Sequence, residues 1–226
     1  MAAPPADHGS SEAYKGPLES RFDVRVDFNT IWYTQPSFDL VSDRDASLFV
    51  GASLGYALFR FGRLSVIPEL GFNANSTGSS DLFGGAIQRT SLSAENVYAG
   101  AGVRWDLVSI LDLAGRLSGG ATFAQFEMQP SGANAPLLQD DGAAPFFTMG
   151  AGFTVHTPPG TFETKGGSLR SFVAGLSVES GYVFAGSIRL TPTPKDGTGR
   201  VDTGYMSLGN LDRSGPYLQI SLNARF

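Results

Sequence analysis

The chain has no cysteine, and only three of its 16 basic residues are lysine (Lys15, Lys165 and Lys195). Without thiols, disulfides and thiolate-held metals are excluded. With arginine as nearly the only base, fixed and partly buried ion pairs are favoured over mobile surface charge. No apolar run approaches the ~18–20 residues that a transmembrane helix needs. A net charge of −5 with no basic cluster argues against nucleic acid as a partner. The opening "MAAPPADHGSSEAYKGP" has no apolar core of a secretory signal. An initiating methionine on a mature chain whose signal has been removed is the expectation.

Glycine and phenylalanine are present in excess. The 226 residues include 29 glycines, nearly twice the usual ~7%, and 17 phenylalanines. Residues 1–19 are rich in Pro, Ala, Ser and Gly, which predicts a flexible tail ahead of a single domain over 20–226.

From residue 21 a period-two pattern begins and recurs. In "RFDVRVDFNTIW", Phe22, Val24, Val26, Phe28 and Trp32 oppose Arg21, Asp23, Arg25, Asp27 and Asn29. Similar runs follow in "ASLFVGASLGYALFRF", "LSVIPELGFNAN", "NVYAGAGVRWDL", "LAGRLSGGATFAQF", "PFFTMGAGFTVHT", "RSFVAGLSVESGYVF" and "YLQISLNARF". One face of each is Leu, Val, Phe and Ala with hardly a charge. The other carries glycine, serine and the ionisable residues. Tight links such as "FGR" and "VSILD" alternate with long polar ones such as "QPSGANAPLLQDDGAA". Eight strands with uncharged outer faces, charged inner faces and loops of unequal length predict an all-β, eight-stranded antiparallel transmembrane β-barrel. A soluble lipocalin-like barrel would instead have short loops at both ends. A ten-strand version follows if Glu179–Gly181 is a turn and "VDTGYMSL" a strand.

With both termini in the periplasm, Trp32, Phe72, Phe147 and Tyr217 fall near the outer interface. Trp105, Phe22, Phe61 and Phe226 fall near the inner one, giving two aromatic girdles. The inward charges are Arg21, Asp23, Arg25, Asp27, Glu69, Arg104, Asp106, Arg116, Glu179 and Arg225. Five acids and five bases allow full pairing, so a salt-bridged plug is expected ahead of a narrow conduit.

The ending "YLQISLNARF" resembles the terminal β-signal of Gram-negative outer-membrane proteins, through Tyr217, Ile220, Leu222, Ala224 and Phe226, with Ala224 small for its place. Over residues 20–226 the chain resembles the small OmpA/OmpX/OmpW-type barrels. The resemblance implies location in the bacterial outer membrane among lipid and lipopolysaccharide, and passage through the barrel-assembly machinery, with the last strand closing on the first. The function expected is that of a non-enzymatic barrel that anchors or displays long extracellular loops, with membership of an envelope complex as one form of it. The alternative is a narrow channel or transporter for small or apolar solutes, and the least favoured is a lipid-modifying enzyme.

His156 and His8 are the two histidines, and His8 lies in the tail. His156 faces inward and is followed by Thr157 and Pro158, without His-x-Ser spacing, so a hydrogen-bonding role is expected and no catalytic residue is assigned. "SDRD" and "DGTGRVD" carry carboxylates without the spacing of a cation loop, so no metal or cofactor is expected. Apolar loop residues Phe38, Leu40, Leu82, Phe83, Leu137, Leu138, Tyr205 and Met206 fit equally a cap on the barrel or a partner contact.

Overall fold

A computed structural model describes residues 21–34, 46–75, 80–82, 88–130, 137–158, 161–162, 172–194 and 209–226. The proposed tail and the segments "SDRD" and "DGTGRVD" lie outside the described residues, as do Phe38, Leu40, Phe83, Tyr205 and Met206.

Eight long strands form the staves: β1 (Phe22–Trp32), β2 (Ala46–Tyr56), β4 (Leu64–Asn75), β6 (Gln88–Val108), β7 (Leu111–Pro130), β8 (Leu138–His156), β9 (Val173–Ala185) and β13 (Gly215–Arg225). Five short strands supplement them: β3 (Phe59–Phe61), β5 (Ser80–Leu82), β10 (Ile188–Leu190), β11 (Thr193–Pro194) and β12 (Gly209–Leu211). Each stave pairs antiparallel with the next, and β13 pairs with β1 over Asp23↔Arg225 to Ile31↔Tyr217, which closes the barrel. Strand β9 runs unbroken through Glu179–Gly181, so the barrel has eight staves rather than ten.

Closure reaches the last residue. The Phe226 carbonyl accepts the Arg21 and Phe22 amides at 3.2 and 3.0 Å, and the Phe226 amide donates to Phe22 O at 3.2 Å. The Phe22 and Phe226 rings stack beside this seam, 6.2 Å apart. Both ends of the barrel chain therefore lie at the end that holds the tight turns. There, Gly62 takes the positive φ of 61° that a primed two-residue hairpin turn requires.

The outward faces form one apolar belt. Leu48, Leu54, Leu70, Val97, Leu117, Met149, Leu176 and Leu222 are all exposed. On β7 the belt runs from Leu113 to Phe123, a span of roughly 25 Å at ~3.3 Å per residue and ~40° tilt.

Strands β6, β7 and β8 continue past the belt, reaching eight, four and seven residues beyond the runs legible in the sequence. In this extension the alternation inverts. Glu95, Gln125 and Asp141 face outward, while Leu92, Ala94, Ala124, Phe126, Met128, Leu138 and Ala144 face inward and are buried. The paired strands β10 and β12 pack Ile188, Leu190 and Leu211 onto that inner face. Ile31, Tyr33, Phe49, Val183 and Tyr217 join the same cluster from below. The extension thus has a buried core like a soluble sheet's, and its outer strands β6 and β8 pair with β5 and β11.

Candidate functional site: the barrel interior

Below the apolar cluster the interior is polar and layered. Nearest the termini, Asp23, Asp106 and Asp112 meet Arg60, Arg104 and Arg225. Arg225 bridges Asp112 at 2.6 Å and Asp23 at 3.2 Å. Arg104 reaches Asp106 at 3.4, Asp23 at 3.6 and Asp112 at 3.8 Å. Arg60 lies 3.5 Å from Asp106. His156 is buried here, with Nε2 2.6 Å from Asp112 Oδ2 and 2.9 Å from Arg225 Nη1.

The next layer up joins Arg25 to Glu69 at 2.6 Å, and Arg116 to Glu179 at 2.8 Å and Glu69 at 3.5 Å. Gln219 accepts from Arg116 at 2.9 Å and donates to Asp27 at 3.0 Å. Asp27 also accepts from Ser53 at 3.2 Å and Tyr98 at 3.5 Å. The Tyr217 hydroxyl donates to Glu179.

Two interior tyrosines lie where glycines make room. A Cβ on Gly71 would stand 2.4 Å from the Tyr98 ring, and one on Gly150 would stand 2.1 Å from the Tyr217 hydroxyl. Small residues on one wall thus admit a ring from another, the way a narrow barrel fills itself.

Above this layer, the buried groups of the barrel wall among the described residues are neutral apart from Arg213. Arg213 donates to Thr122 at 2.7 Å, Thr122 to Asn96 at 2.5 Å, and Asn96 to Asn73 at 2.6 Å. Two small cavities flank the Arg116 layer. One of about 50 Å³ touches Asp23, Arg25, Glu69, Arg104, Arg116 and Arg225. One of about 30 Å³ lies above, against Asn29, Tyr33, Thr122, Thr148 and Arg213. They share no lining residue.

Nine of the ten charges read from the sequence stand in these layers. Arg21 does not: it is exposed at the rim and donates to the Tyr56 hydroxyl at 3.1 Å. Tyr217 is not on the outer surface with the girdle. Its odd position places it opposite Ile220, Leu222, Ala224 and Phe226, and it is buried in the lumen. Trp32, Phe72, Trp105 and Phe147 do face outward, Trp32 and Phe72 at the loop end of the belt and Trp105 near the turn end. Asp112, Arg60 and Arg213 were missed. Asp112 and Arg60 flank tight turns, and Arg213 sits in a long link, so none belonged to a clean run. The parity of Asp112 against Leu113 was a usable signal. Leu138 lies in the cap.

An apolar belt, a polar interior and a closed strand ring define an eight-stranded transmembrane β-barrel, the fold that small outer-membrane barrels share. No family model matches the chain, and no curated protein does. Among solved structures, Ail of Yersinia pestis matches at 11% identity and TM-score 0.43, covering 91% of this chain and 95% of that one. Neisserial surface protein A matches at 12% identity and TM-score 0.42, over 90% and 95%. The N-terminal β-barrel domain of Pseudomonas aeruginosa OprF matches at 10% identity and TM-score 0.37, over 92% and 100%.

Proposed function

We propose that the protein is a non-conducting, non-enzymatic anchor, which holds a rigid sheet and long loops above the outer surface of the outer membrane. One observation carries this: two ion-pair layers, a hydrogen-bonded layer and an apolar core follow one another along the interior and leave only small cavities between them. Nothing the size of a solute passes a ring of Arg116, Glu179, Glu69 and Tyr217 held side by side. In this reading the termini face the periplasm, with residues 1–19 as a tail there. Tyr217, Ile220, Leu222, Ala224 and Phe226 serve as the assembly signal, and lipopolysaccharide surrounds the belt. The β6–β8 extension and its loops would meet a partner, another envelope protein among the candidates. The narrow-channel alternative would need the Arg116 layer to part. Single-channel recording in a planar bilayer separates the two. The wild type is expected to be silent. Large, steady ohmic steps would overturn the closed-lumen reading.

A further inference from the structure

Arg213 differs from the other interior arginines among the described residues. Arg25, Arg60, Arg104, Arg116 and Arg225 each have a carboxylate within ion-pair distance. Arg213 is buried to 6% exposure with no carboxylate beside it among the described residues, and its one hydrogen bond goes to the neutral Thr122 hydroxyl. Its Nη1 is fully enclosed and has no acceptor. The relay beyond Thr122 runs through Asn96 to Asn73, all neutral groups. A guanidinium cannot shed its proton to escape burial. An unpaired buried charge is costly until a counter-charge meets it.

The cavity of about 30 Å³ lies against this side chain. That is room for on the order of two water-sized species. Asn29 lines the same cavity, and its Oδ1 is also enclosed without a partner. A half-turn of that amide presents its NH₂ to the cavity instead. Ile31, Phe146, Val183 and Ala185 are the apolar part of a mixed wall, and enclosure away from bulk water strengthens attraction between ion and guanidinium.

We propose that this cavity binds one small monovalent anion, of halide size, held by Arg213 Nη1 and the Asn29 amide beneath the apolar cap. Phosphate and sulfate are too large for the space, and a second negative charge would find no second cation there. The site does not depend on whether the loops bind a partner.

The test uses the folded full-length barrel at constant ionic strength, with chloride exchanged stepwise for gluconate, which is too large to enter. Above saturation, each tenfold rise in chloride is expected to raise the folding equilibrium constant about tenfold. An equal response to both salts would overturn the proposal without any variant being made. Arg213→Gln is expected to abolish the chloride dependence, while Arg189→Gln, which removes an exposed arginine, keeps it. Crystals grown in bromide should show one anomalous peak within hydrogen-bond distance of Arg213 Nη1. Bromide confined to the outer surface would contradict the site.

Discussion

At the scale of single residues, the interior is a set of charges whose partners come from different strands. Arg116 on β7 meets Glu69 on β4 and Glu179 on β9, so its charge holds three walls together. Arg116→Ala should leave two buried carboxylates without their shared cation and cost about 3–5 kcal/mol in the dry limit. Urea titration of the refolded barrel measures this. A double-mutant cycle with Glu179→Gln should show a smaller loss than the two single losses added, because the carboxylate left behind is then neutral. Additive losses would mean that the pair does not interact. The inward charges were legible because strand parity assigns each residue a face, as it did for Asp23 through Asp27. Their pairings were not, since a period-two pattern says which wall a residue leaves but not which wall it meets. Tyr217 shows the opposite error. Aromatic character placed it on the belt, although its parity against Phe226 already pointed inward.

At the scale of the strand, each of β6, β7 and β8 obeys two solvents in turn. Within the belt the outward residues are apolar because lipid offers polar atoms no hydrogen bonds. Above it the outward residues turn polar and the inward ones apolar, as on a sheet in water. The change falls at one level on neighbouring strands: Asn96 pairs with Thr122, and the next inward residues are Ala94 and Ala124. The sequence showed the lower pattern clearly. The upper one looked like loop, since Gly, Pro and acidic residues interrupt it and the strand pair that covers it is distant in the chain. Two substitutions on one strand face separate the regimes. Leu117→Lys, in mid-belt, should cost about 2–4 kcal/mol in a bilayer, whereas Gln125→Lys should cost close to nothing. On the inner face, Phe126 is completely buried, and Phe126→Ala should cost about 3–5 kcal/mol. Equal costs at Leu117 and Gln125 would refute the inversion.

At the scale of the whole molecule, everything depends on which solvent surrounds the belt. The eight-strand count, the shared position of the termini and the inequality of the two ends were all readable from the alternation and link lengths. The apolar cap was foreshadowed only by apolar loop residues such as Leu138. The two tryptophans allow a direct test of the belt, because Trp32 lies at its loop end and Trp105 near its turn end. Single-tryptophan forms, Trp105→Phe and Trp32→Phe, would be refolded into vesicles whose lipids carry bromine at graded depths. Both emissions should be quenched most strongly by shallow bromines, at similar distances from the bilayer centre, since each ring sits at an interface. A tryptophan that no brominated lipid quenches, or one quenched most strongly by the deepest bromines, would contradict a belt with a girdle at each interface.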